Sequence, residues 1–170
     1  MTESVTVRRA VPEDIPHAAA LAGRLVRMHH EVDPGRFFLV ADVEKGYASW
    51  FARELKRREA VLLVAVTEAG GGIDGSTIAG YAYGAFEGRD WNLLLDEHGA
   101  IHDVYVADEH RKLGVGAALV AALVAELEAL GAPRVVLSTM PSNTGAQRLF
   151  ARHGFRTTFF EMTRSRRREA

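Results

Sequence analysis

Residues 101–116, Ile-His-Asp-Val-Tyr-Val-Ala-Asp-Glu-His-Arg-Lys-Leu-Gly-Val-Gly, concentrate the groups in this chain that can do chemistry. They read as a short apolar strand, a polar turn and a helix entry through two glycines. Amides at the start of a helix have no partner inside it, and the helix dipole adds partial positive charge at that end. With Arg111 and Lys112 just ahead of Gly114, the segment reads as a receptor for a phosphorylated ligand.

Two phosphate loops are excluded by side chains they require. A Walker loop needs Gly-Lys followed by Ser or Thr, whereas Gly116 precedes Ala117 and Ala118. A dinucleotide fingerprint needs a third small residue three places after its second glycine, and that position is Leu119. It also needs an acid at the end of the next strand, where Ser138 and Thr139 stand.

The pattern that fits is Arg111-x-x-Gly114-x-Gly116-Ala117, a long helix and a strand, then Asn143-x-x-Ala146-x-x-Leu149-Phe150-x-x-x-Gly154-Phe155. This combination resembles the GNAT superfamily of acyl-CoA-dependent N-acetyltransferases. The match is firm over residues 100–155 and rests on element order alone over 1–99. The resemblance implies that the amides of Lys112, Leu113, Gly114, Val115, Gly116 and Ala117 hold the pyrophosphate of acetyl-CoA, with Arg111 and Lys112 adding charge. It implies that the strand carrying Val104, Tyr105 and Val106 splays from its neighbour and binds the pantetheine arm. It also implies that Asn143 caps the next helix and reaches the arm, with Ala146 and Phe150 alongside.

The same resemblance implies acetyl transfer to a primary amine by direct attack in a ternary complex. An alkylamine of pKa about 10 is mostly protonated at neutral pH, so a base belongs near the strand. Asp103 and His102 are the candidates. Strand neighbours point to opposite faces, so one of the two is expected in the cleft. Each also has a purely structural reading, as a hydrogen-bonded carboxylate or a satisfied imidazole. Many relatives carry a proton-donating tyrosine where this chain has Phe150. The family also usually has glycine at the Lys112 position. With Phe150, coenzyme A leaves as a thiolate, which a thiol pKa of about 8.5 tolerates. Tyr83 and Tyr105 are other donors, with packing on the sheet as their plainer role. The missing tyrosine motivates an alternative, a non-catalytic acyl-CoA-binding module of the same fold.

Composition sets the bounds. The 170 residues suit one domain with a single core, spanning 1–170 with 164–170 as a flexible basic tail. A net charge of −1 gives no global attraction to nucleic acid or acidic membranes. The absence of cysteine excludes a thiolate metal site, a disulfide framework and a cysteine nucleophile, and no metal is expected. No apolar run approaches the roughly 20 residues that span a bilayer, so a cytoplasmic enzyme is expected. Its partners would be an amine acceptor and, because family members commonly pair, a second copy as homodimer.

The elements that must position the site follow from periodicity. A strand at 5–9 precedes helices over 13–30 and 43–58, the first with an apolar stripe of Ala18, Leu21, Ala22 and Leu25. Strands follow at 61–67 and 77–86, joined by a glycine-rich connection at 69–76. A strand at 100–106, a helix at 114–130 and a strand at 134–139 imply a parallel pair at the central β-α-β unit. A short helix at 144–153 and a last strand at 155–163 complete an α/β mixed sheet of about six to seven strands with helices on both faces, the GNAT arrangement. The connections at 29–42 and 87–99 are the candidate acceptor loops. Trp91 is read as buried against the sheet or touching the acceptor, and His29-His30 as a solvated helix end or a cleft lining.

Overall fold

The computed structural model describes residues 5–67 and 77–166. In chain order these form β1 (Val5–Arg9), a single 3-10 turn (Pro12–Asp14), α1 (Ile15–Val32), α2 (Val43–Glu54), β2 (Ala60–Thr67) and β3 (Thr77–Glu87). Then come β4 (His98–Val106), a second 3-10 turn (Asp108–His110), α3 (Val115–Ala129), β5 (Val135–Leu137) and α4 (Thr144–Arg152). The glycine-rich connection at 69–76 and the end of the basic tail lie outside the described residues.

The strands run β1-β2-β3-β4-β5 across one sheet. Every pair is antiparallel except β4 with β5, which is parallel as the strand–helix–strand order requires. Helices α1 and α2 cover one face, where Leu21, Leu25 and Phe51 meet Leu62, Val64, Tyr81, Tyr83 and Tyr105. Helix α3 covers the other, where Leu119, Leu123 and Leu127 meet Val61, Leu63, Ala82 and Ile101. Strand β2 is buried from both sides, which explains its unbroken apolar run.

Helix α3 stops as its sequence requires. Gly131 takes φ 99°, its amide bonds to Glu128 O at 2.9 Å, and the Ala132 amide reaches back to Leu127 O at 3.1 Å. This is a Schellman ending, with glycine at the left-handed position.

Among the described residues the sheet has five strands, fewer than the six or seven expected. The last strand at 155–163 does not form, and residues 156–166 are exposed with no regular structure. Its intended neighbour supplies the reason. Expected over 134–139, β5 is only the three residues Val135–Leu137, a ladder of about 10 Å. The tail is held elsewhere, by an ion pair between Glu161 and Arg36 in the connection after α1.

Candidate active site

Strand β4 is paired with β5 only through Gly99, Ala100 and Ile101. Beyond Ile101 the two diverge, leaving the β5 side of β4 without a neighbouring strand. The Ala107 amide donates to Ala79 O on β3 at 2.9 Å, so by alternation the main-chain groups of Val106 and Val104 point into the vacated side. Arg111 Nε donates to Val106 O at 3.3 Å, in keeping with that direction. Tyr105 is placed differently: its backbone turns toward β3 and its ring is buried in the α1–α2 core.

At the end of β4 the chain turns into α3 through two left-handed residues, Lys112 at φ 66° and Gly114 at φ 82°. Gly114 caps the helix, and the first internal bond runs from the Ala118 amide to Gly114 O at 3.0 Å. The amides of Val115, Gly116 and Ala117 precede that bond and have no acceptor within the helix. No acidic side chain stands in the first turn to occupy them. Lys112, Leu113 and Gly114 are exposed around this end, while Val115 is buried and anchors it. Arg111 is already engaged, bonded to Asp108 at 2.7 Å and lying 5.7 Å from the centre of the Tyr105 ring. The small size of Gly116 serves packing as well, because a Cβ there would sit 3.3 Å from Leu149 Cδ2 on α4.

That contact joins the two halves of the sequence pattern. Asn143 caps α4, its side chain accepting from the Ala146 amide at 3.1 Å. Ala146 is half-buried in the first turn of α4, and Phe150 packs edge-on against Phe155 with centroids 5.9 Å apart. Gly154 and Phe155 form a second Schellman ending: the Gly154 amide bonds to Ala151 O at 3.1 Å and the Phe155 amide to Phe150 O at 3.1 Å. The Gly-Phe end of the pattern is therefore a helix stop with its customary apolar contact.

The expectation that only one of His102 and Asp103 faces the acceptor side is corrected by a β-bulge. Tyr83 pairs with Asp103 and Gly84 with Ile101, so His102 is an extra residue opposite that step. Both side chains end on the α1–α2 face. Asp103 accepts from the Tyr81 hydroxyl at 3.1 Å, and the His102 ring stacks on Tyr83 with centroids 5.6 Å apart. Nε2 of His102 is 2.7 Å from Glu87 Oε1.

Burial pushes the Asp103 carboxyl up, and the Tyr81 hydroxyl with the nearby His102 and His29 only partly offsets it. The Tyr83 hydroxyl is raised by burial and by its 2.6 Å bond to the buried Glu54, so it is protonated and already committed as a donor.

Spacing alone did not reveal this environment. Tyr81 and His29 reach Asp103 only through strand pairing and the packing of α1 on the sheet. His29 is set by a bond from its Nδ1 to Leu25 O at 2.8 Å and by the Phe37 ring, 4.8 Å away between centroids. Trp91 is not buried against the sheet: it is 75% exposed, beside the Arg89 guanidinium at the opposite end of β4 from Val106. Among the described residues no cluster of three or more His, Asp or Glu is placed to hold a metal ion.

Unpaired amides at the start of α3, a vacated edge of β4 and a buried carboxylate are brought together on a five-stranded mixed sheet. The sequence profile of the acetyltransferase (GNAT) family matches residues 26–155, and the chain belongs to that family of acetyl-CoA-dependent acyltransferases. Solved structures share its fold. The BH1408 protein from Bacillus halodurans aligns with TM-score 0.77 and 18% identity, covering 94% of this chain and 99% of that one. An aminoglycoside N-acetyltransferase in complex with CoA gives TM-score 0.71 and 18% identity, covering 98% and 97%. Glucosamine-6-phosphate N-acetyltransferase from Arabidopsis thaliana gives TM-score 0.68 and 17% identity, covering 96% and 99%. No curated protein matches by sequence.

Proposed function

We propose that this chain transfers acetyl from acetyl-CoA to a primary amine by direct attack in a ternary complex, with Asp103 as general base. One observation carries the reading. The free edge of β4 at Val104 and Val106 runs from the amide cradle of α3 to the bulge where Asp103 and His102 share a face. A thioester laid along that edge would have its phosphates at Val115, Gly116 and Ala117 and its acyl carbon near Asp103. A main-chain amide of β4 is then the donor for the developing oxyanion, usually a large term in acyl transfer.

Asp103 suits the base role because its raised pKa brings proton affinity closer to neutral pH. His102, oriented by Glu87, is the second candidate. The acceptor side also carries the half-buried aromatic rings of Tyr47 and Trp50, which favour an approaching cation. The acceptor is a small amine or a protein lysine or N-terminus. Phe150 leaves the departing thiolate without a proton donor on α4, and that single observation favours the other reading, a binding module that turns nothing over.

One experiment separates the two. Titrating the protein with acetyl-CoA in a calorimeter measures binding, and free thiol is then followed with and without a panel of amines. Binding with amine-dependent thiol release is the expected result. Binding without release across the panel assigns the module, and no binding removes both.

A further inference from the structure

The surroundings of Asp103 carry a charge count and a shape that acetyl transfer does not by itself require. Rings reach this carboxylate from four elements: His29 on α1, Tyr47 on α2, Tyr81 on β3 and His102 on β4. Tyr81 donates to Asp103 at 3.1 Å. Burial pushes the Tyr47 hydroxyl up and the Asp103 charge pushes it further, so hydroxyl and carboxylate are neighbours. Burial raises Asp103 itself, and His102 and His29 stand near enough, with Tyr81, to draw it partly back. Further rings back these. Trp50 meets Tyr47 edge-on with centroids 5.6 Å apart and Tyr83 with centroids 4.6 Å apart. Tyr47 and Trp50 are half-buried, so part of each ring stays open to a small molecule.

Three carboxylates touch this ring system, and two are already engaged. Glu54 accepts from the Tyr83 hydroxyl at 2.6 Å and from Arg57 Nη1 at 2.8 Å. Glu87 lies 2.7 Å from His102 Nε2. Asp103 differs, because its bonded partner is a hydroxyl without charge. The rings therefore offer one carboxylate to one ammonium. A second ammonium on the same short body would lose water with no counter-charge to meet it, an unfavourable exchange. A lysine side chain brings a single ammonium, but its unbranched tether gains none of the ring-on-ring packing that an aromatic body gains here.

We propose that the acceptor is a monoamine whose amino group is joined by a short alkyl chain to an aromatic ring, with Asp103 receiving the ammonium and Tyr47 and Trp50 the ring. The inference rests on the acetyl transfer proposed above and narrows its acceptor. The docked ammonium sheds one proton through Asp103 to water, and the neutral nitrogen bonds to the acyl carbon. The carbon–sulfur bond breaks with its electron pair to the thiolate, and the second proton leaves the new amide nitrogen for water.

The test is the thiol-release assay with acetyl-CoA and five acceptors: phenethylamine, propylamine, spermidine, kanamycin and a lysine-containing peptide. Phenethylamine is expected to exceed each of the others in kcat/KM by about tenfold or more. Trp50→Leu keeps an apolar side chain and removes the ring. It is expected to lower the ratio of phenethylamine to propylamine by about fivefold or more, whereas a merely structural role would lower both alike. Acetyl-CoA calorimetry on both proteins checks that the thioester site is intact. Any other acceptor matching phenethylamine, or a ratio unchanged in Trp50→Leu, overturns this inference and leaves acetyl transfer standing. Thiol release with none of the five overturns both.

Discussion

At the scale of single residues, Asp103 combines a cost to the fold with the proposed role of general base. Its carboxyl, ordinarily near 3.8, is pushed up mainly by burial. An acid raised in the folded state holds its proton more tightly there than in the unfolded chain, so the charged form destabilises the fold above that raised pKa. That penalty disappears as pH falls through the raised value. Asp103→Asn is therefore expected to raise the melting temperature at neutral pH, with the gain fading toward pH 4, while lowering kcat by about 10²- to 10⁴-fold if Asp103 is the base. Scanning calorimetry beside a steady-state assay checks both. His102→Gln serves as the comparison: an equal loss there with none at Asp103 transfers the role. Lys112 is the other informative residue. A lysine at φ 66° is strained where glycine is free, which accounts for the family's usual glycine. Lys112→Gly is expected to stabilise the fold by about 0.5–1 kcal/mol. It should also weaken acetyl-CoA binding slightly by removing a cation, measured by denaturant titration and calorimetry.

At the scale of elements, the interface between α3 and α4 joins the two halves of the sequence pattern. Asn143 sets the start of α4 through the Ala146 amide, and Leu149 seats against Gly116. Asn143→Ala is expected to cost about 1 kcal/mol of stability as a lost cap. If Asn143 also reaches the pantetheine arm, the loss in acetyl-CoA affinity will exceed what the fold loses, and parallel melts and titrations distinguish the cases. Most of this architecture was legible in advance. The apolar stripe of α1 and the paired glycines ahead of α3 are local signals, and the elements stand where those signals put them. The bulge was not legible, because nothing in His-Asp-Val-Tyr-Val distinguishes a regular strand from one with an extra residue. The surroundings of Asp103 were equally hidden, since Tyr81 lies 22 residues away in the chain. The missing last strand failed for a different reason. Residues 155–163 have the composition of a strand, but pairing is a property of two segments, and β5 ends at Leu137.

At the scale of the whole molecule, two carboxylates set opposing pH responses. Burial alone would push Asp14 up, but Arg8, bonded through Nη1 at 2.5 Å and Nη2 at 3.0 Å, and the Val11 amide at 2.8 Å outweigh it and hold the carboxyl below its ordinary value. An acid lowered in this way stabilises the fold above its unfolded pKa, and the contribution is lost as pH falls through the folded one. Acid unfolding is thus expected to steepen below about pH 4, the ordinary aspartate range, and Asp14→Asn should flatten that limb while lowering stability at pH 7. Urea midpoints between pH 2.5 and 7 would show it, and an unchanged limb would mean that Arg8 remains paired with Asp14 in the unfolded chain.

The single inserted position in β4 has a consequence for variation along that strand. Gly99 and Ile101 turn toward α3, and so do Val104 and Val106. The set facing α3 switches from odd to even numbers midway, and the set facing α1 and α2 switches the other way. Shortening the strand by His102 would bring its two halves back into step with Asp103 still on the α1–α2 face, so the deletion would remove one candidate base and leave the other where it stands.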